Sequence, residues 1–361
     1  LNPARHEKRP APALKIIAIS RVKVEADILE AFVRHNSSFV DLMLVMDDAS
    51  TDGSLAILNA LAAEGLNLII SKGEPGTSHR DALMELLSRA FHAHGADWVL
   101  PLDSDEFIEL NGIQSLHDRL PASSDLPHSV LWHPFVYRRE AAVPGLPPIL
   151  AELPYRVSPR EPLTKVMIPK MLALKTGFSL QDGSHEAALD GETLPRVAVP
   201  EIALCHFPIR SVEQYSKKTV LGRWLSIMTR GNHTAHAYHY WAPYEALKDG
   251  NGEFEQIMFE QSLNYSDEPV HTADDVYFEP LRYQGGACRY QGKIIKTSLH
   301  HDMCVLAETM ASHLFLRGLS PEQISALQPV KTELSSVRLL MHRVVPPNIR
   351  RALRAAIGRA H

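Results

Sequence analysis

The sequence predicts an α/β protein: a largely parallel sheet with helices on its faces, a mixed continuation of that sheet, and a mainly helical C-terminal region. Three observations carry this. Apolar runs of strand length alternate with segments of helical periodicity from residue 14 to 107. The connections between them are short, which favours parallel pairing with right-handed crossovers. From about 128 to 205 the pattern shifts to short β-like runs between Pro- and Gly-rich turns, the mark of a mixed or antiparallel extension.

Residues 14–19 (LKIIAI) read as a first buried strand, and 25–36 as a helix, with Ile28, Leu29, Phe32 and Val33 at helical spacing. LMLVM (42–46) is a second strand that runs into the polar turn DDASTDGS, followed by a helix over 54–64 that Gly65 closes. LNLII (66–70) is a third strand. Thr77 or Ser78 caps a helix that reaches His94, and WVLPL is the fourth strand. Further on, SVLWHPFVY, TKVMIPKML and AVPEIALCHF read as strands. A helix is predicted over 211–229, with Ser211 and Gln214 in capping-box spacing. Residues 231–300 read as irregular. A helix over 299–317 and another starting at Ser320-Pro321 complete the chain. The implied division is an α/β domain over 1–245 and a helical extension with a basic tail over 246–361.

Bulk properties bound the function. The 361 residues are 45% apolar and 22% charged, ordinary for a globular protein. A net charge of −5 argues against nucleic acid as a partner, since that role needs a basic face. Three cysteines, Cys205, Cys288 and Cys304, lie far apart without metal-ligand spacing, which fits a reducing compartment. No apolar run approaches the ~18 residues of a membrane span. The first residues, LNPARHEKRPAPA, lack the apolar core of an export signal. A cytoplasmic setting is the expectation, at the inner face of the membrane if the tail binds lipid. That tail, 338–361, carries six arginines and no acid among apolar residues. It reads as a peripheral contact for an anionic membrane or, more blandly, as a solvated helix docked on the body.

In α/β sheets ligands gather at the carboxyl ends of the strands. Three polar clusters fall there: Ser20 and Arg21, Asp47 and Asp48, and Asp103 to Glu106 in WVLPLDSDEF. Asp103 and Asp105, two residues apart at a strand end, make a hard-oxygen site for Mg²⁺ or Mn²⁺ shared with phosphate oxygens. The bland alternative is an acidic turn that caps the next element. Asp48 is the candidate contact for a nucleotide base, while Ser50 to Ser54 are explained in part as turn and cap chemistry.

The combination ISRVKVEADILEAFVRHN, LMLVMDDASTDGS and WVLPLDSDEF resembles the nucleotide-sugar-dependent glycosyltransferases of the GT-A fold, in the family-2-like group. The likeness is strong over about 14–107 and looser through CHFPIRSVEQYSKK. It implies a Rossmann-like nucleotide-binding core and transfer of a sugar from an NDP-sugar, most simply a UDP-sugar, to a glycan or lipid-linked saccharide with inversion. It places Ser20, Arg21 and Glu25 at the nucleotide, Asp48 at the base, and Asp103 with Asp105 at the metal. His206 is the late histidine that such enzymes add to the metal, an imidazole better suited to Mn²⁺ than to Mg²⁺. Arg210, Lys217 and Lys218 are candidates for the diphosphate; for the lysines the alternative is an exposed helix face.

The catalytic base departs from the family's Glu-Asp pair. LQDGSHEAAL supplies the substitutes: Glu186 first, His185 as an acceptor contact, Asp182 as the fallback. His233, His236 and His239 lack the carboxylate or cysteine that would make a zinc site, and Tyr238, Tyr240 and Trp241 beside them suit an acceptor cleft. Two rival functions remain: a non-catalytic nucleotide- or glycan-binding scaffold of the same fold, and a sugar nucleotidyltransferase. The second is disfavoured because SRVKVEAD has no glycine where such enzymes carry a phosphate loop.

Overall fold

The computed structural model describes residues 14–74, 77–158, 164–230, 241–249, 254–265 and 271–290. The order begins β1 (Ile16–Val22), α1 (Leu29–Asn36), β2 (Leu42–Asp47), α2 (Ser54–Ala63), β3 (Leu68–Lys72), α3 (His79–His92), β4 (Trp98–Pro101) and β5 (Glu106–Leu110). It continues with β6 (His128–Pro134), α4 (Pro148–Ala151), β7 (Tyr155–Val157), β8 (Thr164–Pro169), α5 (Lys170–Ala173), β9 (Phe178–Leu180), β10 (Ala187–Leu189), β11 (Glu192–Thr193) and β12 (Val197–His206). The helices α6 (Val212–Arg230), α7 (Trp241–Asp249) and α8 (Phe254–Leu263) and the strand β13 (Val276–Phe278) follow.

The main sheet has eight strands in the order β3-β2-β1-β4-β8-β6-β12-β5. β3, β2, β1 and β4 are parallel. β8 runs against both β4 and β6, while β12 is parallel to β6 and antiparallel to β5. The carboxyl ends of β1, β2, β4, β6 and β12 therefore share one edge with the amino ends of β8 and β5. The expected α/β core with a mixed sheet is what the chain forms.

Alternation along β1 explains the layers. Ile16 and Ala18 pack with Leu29, Phe32, Ile57 and Leu58 of α1 and α2. Ile17 and Ile19 pack with Leu83, Leu86 and Leu87 of α3 on the other face. A strand buried on both faces needs the continuous apolar run that marked it in the sequence. The caps match too. Ser78 Oγ accepts from the Asp81 N–H at the start of α3, and Gly65 takes φ +90° beyond the end of α2. Ser211 Oγ accepts from the Gln214 N–H at the start of α6.

Two parts differ from expectation. DEF is more than an acidic turn: β5 begins at Glu106 and pairs with β12 from His206↔Glu106 onward. The tract over 231–300, expected to be irregular, holds the helices α7 and α8, the strand β13, which pairs with β7, and an extended strap that lies along α1. In the strap, Glu30 accepts from the Arg289 and Tyr290 N–H groups at 2.6 and 2.7 Å. The Gln284 N–H donates to His35 Nδ1 at 3.1 Å. Beneath it, Arg156 forms a buried bidentate pair with Glu109 at 2.7 and 3.0 Å. The predicted helices over 299–317 and from Ser320, the histidine-rich stretch 231–240 and the tail 338–361 lie outside the described residues. Among the described residues no helix is long and apolar enough to cross a membrane.

Candidate active site

The motif DDASTDGS positions the loop after β1. Ser50 Oγ accepts from the Val24 N–H, Ser54 Oγ from the Glu25 N–H, and Asp52 Oδ2 from the Ala26 N–H, at 3.0, 3.0 and 2.8 Å. This clasp holds Val24, a β-branched residue, at φ +58°, a conformation that surrounding bonds must impose. The turn chemistry read from Ser50 to Ser54 is thus real, and its product is the placement of Glu25 and Asp27.

Those two carboxylates meet Arg210, which is buried just beyond β12. Its Nε donates to Asp27 at 2.8 Å, Nη2 to Asp27 at 3.0 Å and to Glu25, and Nη1 to the Phe207 carbonyl at 2.8 Å and to Asp105 at 3.4 Å. A guanidinium has five N–H donors and all are engaged here. Burial pushes the Glu25 carboxyl up to about 7, against the pull of Arg210.

Asp105 is buried. Its Oδ1 faces His206 Nε2 at 3.3 Å, and its Oδ2 faces Arg210 and Lys218, each at 3.4 Å. Burial alone would raise its pKa, but Lys218, His206 and Arg210 outweigh it and hold the carboxyl well below the usual range. The His206 ring stacks on Trp132 at 4.6 Å, with Tyr265 edge-on at 5.1 Å, and its Nδ1 is buried without a hydrogen-bond partner. Burial pushes its pKa down, against Asp105.

Asp103 is differently engaged. Lys165 Nζ, at the start of β8, donates to Oδ2 at 2.5 Å, and His79 lies 3.5 Å from Oδ1. The same ammonium is 2.7 Å from Glu106 Oε1, which also accepts from Trp132 Nε1 at 2.6 Å. The Asp103 N–H donates to Glu106 Oε2 at 2.9 Å. Burial raises Glu106 to about 8 in spite of Lys165. Burial acts against the charge on Lys165, yet Asp103 and Glu106 hold its pKa above the ordinary lysine value.

The remaining predicted residues fall as follows. Ser20 is fully buried on β1, and its Oγ has no partner. Asp48 accepts from Arg21 at 2.6 Å and from Lys23 at 2.8 Å, and Arg21 also donates to the Thr77 carbonyl. Lys217 pairs with Glu213 at 3.1 Å on α6. His185 bonds the Thr164 carbonyl through Nδ1 and meets Trp132 edge-on at 5.4 Å. Burial lowers its pKa, and Lys165, Asp103 and His206 all lie close enough to act on it. The structure therefore brings the QDGSHE turn beside the DSDE segment. The Glu186 carboxylate has no hydrogen-bond or ionic partner among the described residues, and the Asp182 and Trp241 side chains lie outside them.

Glu106, Trp132, Lys165, Tyr265 and Asp27 also lie among these side chains, although the sequence reading gave none of them a role. Asp27 sits in the quoted EAD stretch and Glu106 abuts the acidic pair, so both had a local signal. Lys165 had none, because only the adjacency of β4 and β8 brings it to Asp103.

No family model and no curated protein matches the chain. Solved glycosyltransferase structures do. TarS of S. aureus is 16% identical over 70% of this chain, at a TM-score of 0.33, and the chain spans 48% of that protein. A mannosyltransferase from Pyrobaculum calidifontis, solved with GDP-Man and Mn²⁺, is 15% identical over 72% of this chain and 73% of its own, at 0.35. GalNAc-T7, solved with UDP, GalNAc and Mn²⁺, is 12% identical over 72% of this chain and 59% of its own, at 0.34. These are likenesses at low overlap, and nothing about the chemistry of this chain follows from them.

Proposed function

We propose that the chain is a metal-dependent glycosyltransferase that moves a sugar from an NDP-sugar, most simply a UDP-sugar, to a hydroxyl of a glycan or lipid-linked saccharide, with inversion. The observation that carries this reading is the Asp105–His206 pair, set at the sheet edge among the cations Arg210 and Lys218.

The pair fits a divalent cation. Its O and N atoms are 3.3 Å apart, close to the ~3 Å separation of neighbouring ligands about 2.1 Å from one ion. Among the described residues no group of three or more His, Cys, Asp or Glu is arranged round a metal, so phosphate and water would complete the shell. Carboxylate with imidazole suits Mn²⁺. Bound there, the ion would draw off the charge that grows on the departing diphosphate.

The rest is done by the protein. Lys218, partly exposed beside Asp105, meets the diphosphate. Arg210, with its donors engaged, positions Asp105, Glu25 and Asp27 rather than touching phosphate. Arg21 and Asp48 line the place of the nucleoside, while Ser20, fully buried within β1, does not reach it. Glu186 takes the proton of the acceptor hydroxyl as that oxygen attacks the anomeric carbon, and His185 orients the acceptor.

Thermal shift with nucleotides and NDP-sugars, each with and without Mn²⁺, tests the donor class, with stabilisation expected only when both are present. Donor hydrolysis separates the rivals. An enzyme releases NDP slowly with Mn²⁺, whereas a scaffold binds donor and releases none.

A further inference from the structure

β5 closes one end of the main sheet: β12 pairs with one of its edges, and no strand among the described residues takes the other. That edge is covered instead by the last two side chains of α1, both fully buried. Asn36 Nδ2 donates to the Glu106 carbonyl at 2.9 Å, and its Oδ1 accepts from the Ile108 N–H at 2.9 Å. His35 Nε2 lies 2.7 Å from the Ile108 carbonyl. The same ring meets the strap (residues 281–290), where its Nδ1 accepts from the Gln284 N–H at 3.1 Å and Tyr283 stacks on it at 5.5 Å. The strap packs closely there: a Cβ on Gly285 would fall 2.8 Å from Arg34 Cβ. At the other end of this chain of contacts, the Glu106 carboxylate holds Trp132 Nε1 at 2.6 Å, Lys165 Nζ at 2.7 Å and the Asp103 N–H at 2.9 Å.

We infer that the strap governs the active site: its docking on α1 is passed through His35 and Asn36 to β5, and so fixes Glu106 and the groups that Glu106 holds. That this controls turnover rests on the glycosyltransferase reading above; the mechanical link does not. The His35 ring suits the task because each nitrogen serves one backbone. Nδ1 accepts from the strap, which leaves the ring proton on Nε2 for the Ile108 carbonyl of β5. Lifting the strap takes away the Nδ1 donor and the Tyr283 stack together, and the ring is then held from one side. His35 and Asn36 are positioning residues in this account: they act through the β5 backbone and touch neither sugar nor phosphate.

The test is hydrogen exchange of indole and backbone N–H groups in the full chain, followed by NMR. Trp132 Nε1 bonds Glu106 and reports the site, while Trp98 Nε1 bonds the Pro121 carbonyl at 2.9 Å and serves as the internal reference. Gln284→Pro removes the donor on the strap, and Gly285→Val wedges the strap away from α1. Gln284→Ala, which keeps the N–H of this exposed residue, is the control and should match the wild type. In both strap variants exchange at Trp132 should quicken about tenfold, as the loss of about one buried hydrogen bond does, with Trp98 within about twofold of the wild type. Asn36→Ala should quicken Trp132 equally and leave the Arg289 and Tyr290 amides slow, since it cuts the link beyond the strap. NDP release from a UDP-sugar with Mn²⁺ should fall about tenfold in the same three variants. The inference is overturned if the Arg289 and Tyr290 amides quicken in Gly285→Val while Trp132 keeps its wild-type rate, or if Trp98 quickens as much as Trp132. Should Gln284→Pro not fold, Gly285→Val decides alone. A chain that shows the expected exchange pattern but releases no NDP would overturn the glycosyltransferase reading and leave the link standing.

Discussion

Arg210 donates to Asp27, Glu25, Asp105 and the Phe207 carbonyl from a fully buried position. Removing one partner of a buried ionic cluster leaves charges uncompensated, so Arg210→Met should lower unfolding free energy by about 3–5 kcal/mol in urea titration. Arg210→Lys should recover little of it, because an ammonium cannot reproduce the planar fork. His35 supplies a pH dependence. Its Nε2 lies 2.7 Å from the Ile108 carbonyl, and its Nδ1 accepts from the Gln284 N–H. That pattern needs the neutral ring with its proton on Nε2. Burial lowers the pKa from 6.5 to about 4, against the Ile108 hydrogen bond. Between those values the unfolded chain binds more protons than the folded one, so stability is complete above pH 6.5 and is lost as pH falls towards 4. From pH 7 to pH 5 the wild type should lose about 2 kcal/mol more than His35→Gln, measured by urea unfolding at both pH values.

At the scale of elements, two irregular segments do the positioning. The loop after β1 is clasped by Ser50, Asp52 and Ser54 and presents Glu25 and Asp27 to Arg210. The strap is caught by Glu30, which is buried and also pairs with Arg34 at 2.9 Å. Glu30→Ala deprives two backbone N–H groups and a guanidinium of their acceptor. It should cost about 3 kcal/mol or more, and hydrogen exchange at Gln284, Arg289 and Tyr290 should quicken while the amides of β1 and β2 stay protected. Equal acceleration throughout would mean that the strap is not a separate unit. Regular elements were legible here because each carries its own period: β1, β2, α2 and α3 fall within a few residues of their predicted bounds. β5 was hidden because its five residues, EFIEL, bring two acids into a short apolar run, and a period of two cannot be told from a turn at that length. The strap was hidden because its bonds run from backbone N–H groups to α1, about 250 residues away in sequence.

The whole molecule is organised by the order of strands in the sheet. β8 lies between β4 and β6 and runs against both, so its first residues reach the edge where β4, β6 and β12 end. Residues beyond the expected boundary at 245 are built into this body: β13 pairs with β7, and the Glu279 carbonyl accepts from Arg156 at 2.9 Å. Truncation after 245 should therefore lower the melting temperature by several degrees or abolish a cooperative transition, followed by circular dichroism, since about 3 kcal/mol or more of buried pairing loses its support. A chain ending at 245 that melts like the whole would show that the boundary is a true domain border.

By itself the sequence determined the α/β class, the order of the first strands and helices, and the polar residues that stand at the strand ends. Each of these is written locally, in hydrophobic period or in residues next to one another. The tertiary structure alone decided which basic side chains each carboxylate meets. Lys165, Arg210 and His206 reach Asp103 and Asp105 across 62, 105 and 101 residues. No spacing along the chain encodes those meetings, because they follow from which strands lie side by side and in which direction each one runs.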